Sequence, residues 1–179
     1  NIQSDRFSSL RRFLSYLFTA GKTNRDLSEL LFGMVRQKGT KLPSYYEKEE
    51  VLAIENAVCR SSCKGKRDYA MILLASRLGL RGSDIVNLNL NNLDWENNVI
   101  RLTQQKTGQE VILPLLTEVG NALAEYLRYV RPQSNIKTVF LSLSPPIRPL
   151  SIGTFRCILV EYFREAGVKF QEKHHGPHS

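Results

Sequence analysis

The chain has 179 residues, 42% of them apolar, and 25 Lys and Arg against 17 Asp and Glu give it a net charge of +8. That length suits one medium domain with an added piece, or two small domains; no apolar run of about 18 residues offers a membrane-spanning helix, and Ser4-Asp5-Arg6 at the start does not fit a signal peptide. A charge of this size favours a polyanionic partner, nucleic acid first, against the plainer reading of a basic surface that aids solubility.

The first element is a helix over Phe7 to Ala20, with Leu10, Phe13, Leu14, Leu17 and Phe18 at helical spacing and Arg11 and Arg12 on the other side. Gly21 stops it. A further short helix is expected over Arg25 to Met34, packing Leu27, Leu30 and Leu31. Arg36 to Ser44 is polar and basic with Gly39 and Pro43, which reads as a linker. The residues before it, 1–38, are too few to bury a core of their own. They read as the tail of a separate helical domain, and 39–44 as the link to a second domain over 45–179. Residue 1 is Asn, not Met, so the chain is expected to be part of a longer gene product.

Beyond the linker, Glu47 to Val58 reads as a helix with Val51, Leu52, Ile54, Ala57 and Val58 inward and acids in its first turn. Ser61 to Asp68 reads as a loop, Tyr69 to Leu78 as a buried helix, and Ser83 to Leu90 as another, capped by Ser83 or Gly82. Then the period changes. Asp94-Trp95, a turn at 96–98, Val99 to Thr103, a loop at Gln104 to Gln109 and Glu110 to Pro114 form a three-stranded antiparallel meander. Pro114 suits its end, because proline cannot donate to a ladder. Helices follow at Thr117 to Val130 and from the cap Ser151 to Ala166, separated by the apolar piece Val139 to Leu141 and a proline-rich loop. The closing His174-His-Gly-Pro-His-Ser179 looks like a loop that opens a helix. The expected fold class is α+β, mainly helical, with one small antiparallel sheet.

Three residues could do chemistry. Arg81 precedes a helix start, where free N–H groups already favour an anion, and its planar fork matches phosphate oxygens. Asp84 can reach back to hold that guanidinium, and the pair could equally be an ion pair with no ligand. Lys106 sits in the meander loop, either solvated or able to enter a groove and hand over a proton. His178 follows Gly-Pro at a helix entrance, as an exposed side chain or a proton-transfer group. Cys59, Cys63 and Cys157 are odd in number and read as free thiols of a reducing cytosol. Cys59-x3-Cys63 with His174, His175 and His178 is a poor zinc spacing, so no metal is expected.

In this order, "RDYAMILLASRLGLRGSDIVNL", "LTQQKTGQEVILPL" and "HGPHS" resemble the tyrosine recombinase (phage integrase) family. The resemblance runs from about Leu42 to the end, with Phe7 to Thr40 similar to the end of the family's core-binding domain. It implies that 45–179 is most of a catalytic domain, with Arg81 as the arginine that grips the scissile phosphate and Asp84 as its acidic buttress. It implies Lys106 as the acid that protonates the departing 5′ oxygen and His178 as the histidine that assists at the nucleophile. The implied activity is site-specific DNA cleavage and rejoining through a 3′-phosphotyrosyl intermediate, without ATP, metal or other cofactor. The partner would be duplex DNA, met by a tetramer of the full-length protein, with Arg11, Arg12, Lys38 and Lys41 as further DNA contacts. Because the second arginine and the tyrosine nucleophile of that family have no counterpart here, the 179-residue piece is expected to be inactive alone; without the family's C-terminal contact helix it is expected to be monomeric, and the expected setting is the cytoplasm. Rival readings are a regulatory DNA-binding relative without strand transfer, a type IB topoisomerase, and a structural protein with a basic surface.

Overall fold

The structure is a computed structural model and describes residues 2–31 and 45–168. The chain divides into two compact units, Asn1–Leu42 and Pro43–Ser179. Lys38, Lys41, the linker over 39–44 and His178 lie outside the described residues.

In the first unit, α1 spans Ile2–Thr19, five residues earlier than the apolar pattern suggested. Its end is fixed by Gly21 at φ 65°, with Lys22 N–H donating to Leu17 O and Gly21 N–H to Phe18 O, the reversed bonding that lets a helix turn off its axis. The expected helix over Arg25 to Met34 is, among the described residues, a short 3-10 turn, Leu27–Leu31, opened by Asp26 Oδ1 accepting from Ser28 N–H. Leu30 points outward, at 80% exposure. The apolar stripe of α1 is also largely uncovered: Leu10, Phe13 and Phe18 are exposed, and only Leu14 and Leu17 are half-buried. One helix and one turn cannot enclose such a stripe.

The second unit holds the core. Helix α2, Lys48–Ala57, begins where Glu50 Oε2 accepts the N–H of Glu47, a side chain reaching back over the first turn. Helix α3 spans Cys63–Leu78 and so absorbs most of the stretch that composition marked as a loop. Ser62 caps it, its hydroxyl accepting from Gly65 N–H at 2.9 Å. The charges that suggested a loop are paired inside: Arg67 Nε and Nη2 both donate to Asp68 Oδ1 at 2.8 Å, and Tyr162 Oη donates to Asp68 Oδ2 at 3.2 Å. Asp68 is fully buried.

The start of α3 allows no side chain at position 65. A Cβ on Gly65 would sit 1.9 Å from the carbonyl oxygen of Cys59. Gly65→Ala therefore lowers stability by roughly 1–3 kcal/mol despite alanine's better helix propensity, seen as a lower midpoint in urea with an unchanged slope.

Helix α3 packs against α5, Thr117–Tyr129, and against α2; α6, Ile152–Glu165, packs against α2 and against the short α4, Gly82–Val86. Of the apolar residues at helical spacing in these two stretches, Val119, Leu123, Tyr126, Phe155, Ile158, Tyr162 and Phe163 are buried, while Leu127, Val130 and Leu159 are half-buried. Ser151 caps α6, accepting from Thr154 N–H at 3.1 Å. Val139, Phe140 and Leu141 are completely buried, and Leu141 N–H donates to the Tyr126 hydroxyl.

The sheet has the order β1-β2-β3, antiparallel, with β1 Leu93–Asp94, β2 Val99–Thr103 and β3 Glu110–Pro114. Ile100 and Leu102 face the core while Arg101 and Thr103 face solvent, the period-two pattern of a half-covered sheet. The β1–β2 turn is held by Asp94, whose carboxylate accepts the backbone and side-chain N–H of Asn97. Trp95 lies past the end of β1. The mainly helical fold with one three-stranded antiparallel sheet is the class that the sequence indicated.

Candidate active site

The region that carries Arg81 is built from α3 outward. Buried Glu55 on α2 takes both Arg77 Nη2, at 2.6 Å, and the Ser76 hydroxyl, at 2.7 Å, and so anchors the end of α3. Gly79 then turns the chain at φ 62°, with Leu80 N–H donating to Leu74 O. This is a left-handed position that a residue with a Cβ adopts only under strain.

Arg81 is the residue that precedes α4, in extended conformation at φ −68° and ψ 147°. Helix α4 is shorter than the Ser83 to Leu90 that composition suggested. Asn87 leaves it by folding its side-chain amide onto Ser83 O, a bond that competes with helix continuation. Beyond it, Leu88 O accepts from Val139 N–H and Leu90 N–H donates to Lys137 O, so tertiary pairing claims the backbone. A five-residue helix adds little field of its own. The Arg81 carbonyl already accepts the N–H groups of Asp84 and Ile85. The positive charge at this helix start is that of the guanidinium.

No ion pair joins Arg81 to Asp84 among the described residues. Arg81 is half-buried, and its Nη1 donates to the side-chain oxygen of Gln104, 2.8 Å away. Asp84 is 4% exposed and acts elsewhere: its Oδ1 accepts the backbone N–H of Gln105 at 2.9 Å, and its Oδ2 has no partner among the described residues. The expected buttress of the guanidinium is instead a tie between α4 and the β2–β3 loop.

That loop is the one with Lys106. Its neck is closed by Gln104 N–H to Gln109 O and Gly108 N–H to Gln104 O, both 2.9 Å. Gly108 takes φ 68°. Lys106 is exposed at the outer part of the turn. Two bonds, Arg81–Gln104 and Asp84–Gln105, hold the arginine's element and the lysine's loop side by side. Among the described residues neither Arg81 nor Lys106 makes an ion pair, while Arg67, Arg77, Lys64, Lys66 and Arg101 all do. The half-buried guanidinium of Arg81 and the exposed ammonium of Lys106 thus sit on elements joined to each other.

Neither glutamine, nor the burial of Glu55, stood out in the sequence. Each acts through a contact over more than 20 positions of chain, and no local pattern carries such pairing. Arg11 and Arg12, in the first unit, line a polar groove of about 580 Å³ with Ser8, Ser15, Asp26, Ser28 and Glu29. The Asp26 carboxyl there is held below its ordinary range by its hydrogen bonds from Ser28, with the charge of Arg11 adding to them. Cys59, Cys63 and Cys157 are exposed and in no disulfide.

Residues 44–179, the whole of the second unit but its first residue, match the sequence model of the phage integrase family. The chain belongs to the phage integrase family. Relatives agree. It is 36% identical over 79% of its length to a protein named integrase/recombinase y4rA of Sinorhizobium fredii, covering 34% of that protein. It is 33% identical over 76% of its length to integrase/recombinase y4gC of the same species, covering 70% of it. With tyrosine recombinase XerC of Staphylococcus haemolyticus it shares 26% identity over 92% of its length and 55% of that protein. The chain thus spans from about a third to about 70% of these relatives. Its fold is that of lambda integrase residues 75–356 bound to DNA, at TM-score 0.69 and 19% identity, over 99% of this chain and 63% of that one. It is also that of XerA recombinase, at TM-score 0.64 and 17% identity, over 99% and 71%.

Proposed function

We propose that this phage integrase family chain is part of a site-specific DNA recombinase that cuts and rejoins duplex DNA through a 3′-phosphotyrosyl intermediate. The observation that carries the reading is the junction of Arg81 and the Lys106 loop through Gln104 and Asp84. Attack on a phosphodiester builds negative charge on the non-bridging oxygens, and a fixed guanidinium stabilises it. Lys106, on its exposed turn, gives a proton to the departing 5′ oxygen. Asp84 holds the loop at Gln105. His178 assists proton transfer at the attacking hydroxyl. The bond energy stays in the phosphotyrosyl link, so rejoining needs no ATP.

Tyr162, the last tyrosine in the chain, does not attack DNA in this reading. It is buried, it donates to Asp68, and burial pushes its hydroxyl far above the ordinary tyrosine range. The nucleophile is a tyrosine of the full-length protein outside these 179 residues. The first unit, with Arg11, Arg12, Lys38 and Lys41, adds phosphate contacts, the full-length protein works as a tetramer on its site, and the setting is the cytoplasm. Among the described residues no helix is long and apolar enough to cross a membrane.

The test uses the full-length protein and a nicked duplex of its own site, which traps a covalent protein–DNA adduct visible on a denaturing gel. No adduct from the parent protein refutes the reading. Lys106→Ala slows cleavage by about 100-fold. Replacing the bridging 5′ oxygen by sulfur restores the rate, because a thiolate departs without a proton. A Lys106→Ala variant that stays slow on the sulfur substrate removes the lysine from that role.

A further inference from the structure

Gln104 stands between the arginine and the lysine loop. Its side-chain oxygen accepts two hydrogen bonds, from Arg81 Nη1 at 2.8 Å and from the Thr107 hydroxyl at 2.9 Å. Its backbone closes the neck of the loop on both sides, to Gln109 and from Gly108. The residue is half-buried. One side chain therefore touches the guanidinium and the turn that carries Lys106 at the same time.

The chemistry of the acceptor is informative. A carboxylate at this place would bind the guanidinium more strongly, in two parallel bonds, and cancel its charge. An amide oxygen orients the fork through one donor and leaves the positive charge whole, with the other N–H groups available to a ligand. The nearby carboxylate, Asp84, is engaged with the backbone of Gln105 and not with Arg81. So the acid serves the loop, and the neutral residue serves the arginine.

We infer that Gln104 is a positioning residue: its amide oxygen sets the direction of the Arg81 guanidinium without neutralising it, and ties that direction to the loop carrying Lys106. This rests on the recombinase reading of the site and adds to it the device that aligns the two cations. A residue in this role acts on the cleavage step more than on DNA affinity, because the phosphate contact survives its loss while the alignment does not.

The experiment has two arms. In the full-length protein, Gln104→Met keeps the side-chain length and removes the acceptor. Cleavage of the nicked substrate at saturating protein slows about 10-fold, while DNA affinity stays within about two-fold of the parent. A variant that cuts at the parent rate overturns the inference, and so does a loss that appears equally in affinity. In the 179-residue chain, nitrogen-15 exchange spectroscopy reads rotation about the Arg81 guanidinium bonds. Rotation is hindered in the parent and freed by Gln104→Met. Equally fast rotation in both overturns the contact itself. The second arm needs no cleavage. A parent protein that forms no adduct therefore refutes the recombinase assignment, while the guanidinium still decides whether Gln104 holds it.

Discussion

Changing Arg81 to alanine in the full-length protein suppresses covalent adduct formation by at least about 100-fold and leaves the fold standing. The size follows from the chemistry. A preorganised cation at a phosphoryl group stabilises charge that appears only as the bond breaks, so its removal strikes the transition state. The mild effect on stability follows from the geometry. Among the described residues Arg81 has no carboxylate partner, so its removal orphans no buried charge there. Gln104 Oε1 loses one donor and keeps Thr107, a cost of about 1 kcal/mol at most. The check is a time course on the nicked substrate beside a thermal melt and a salt titration. The slope of log affinity against log salt flattens by roughly one phosphate contact. Adduct formation at the parent rate, or a melting temperature that collapses with the substitution, refutes the placement of Arg81 at the phosphate.

Asp68→Ala destabilises the second unit by about 3–5 kcal/mol, on the order of 10 °C in melting temperature. Asp68 is wholly enclosed and satisfied by Arg67 on one oxygen and Tyr162 on the other. Arg67 is itself buried, with one further bond from Nη1 to Leu141 O. Removing the acid leaves a guanidinium in the core with a single weak acceptor. Replacing both members, Arg67→Met with Asp68→Leu, costs less than Asp68→Ala alone, because no charge is then stranded. Equal melting temperatures for Asp68→Ala and the parent reject the cluster as a structural keystone.

The same cluster has a pH dependence with a definite sign. Burial pushes the Asp68 carboxyl above its ordinary value of 3.8, against the pull of Arg67. Between 3.8 and the raised value the folded state binds the extra proton. The contribution of this group is thus fully present below 3.8 and is lost as pH rises through the folded value. Asp68→Asn removes that component of the slope.

Much of the architecture was legible because it is periodic. The meander and the helices α5 and α6 announce themselves by period two and period 3.6, and most of their periodic apolar residues are buried, with Leu127, Val130 and Leu159 half-buried at the margin. The start of α3 was hidden because Arg67 and Asp68 read as solvent residues, whereas in the fold they neutralise each other inside it. The end of α4 was hidden because Leu88 and Leu90 look helical, yet their backbone pairs with 137–139. Arg81, Asp84 and Lys106 could be picked out by type and order. How they are connected could not, since Arg81 meets Gln104 only once the sheet has set the position of the β2–β3 loop. The stripe on α1 was read correctly as apolar, but apolar spacing does not say what covers it.

Gly79 separates Arg77, clamped by Glu55, from Arg81 by a turn in the left-handed region, at φ 62°. The arginine's backbone is thereby tied to the helical core, by the Arg77–Glu55 clamp on one side and its own carbonyl's bonds to α4 on the other. Lys106 sits on a solvent-facing loop at the end of a four-carbon stem. On the recombinase reading proposed above, accommodation of duplexes that differ in groove width or bend falls on the ammonium side. The scaffold thereby divides its labour between a rigid anvil and a compliant arm.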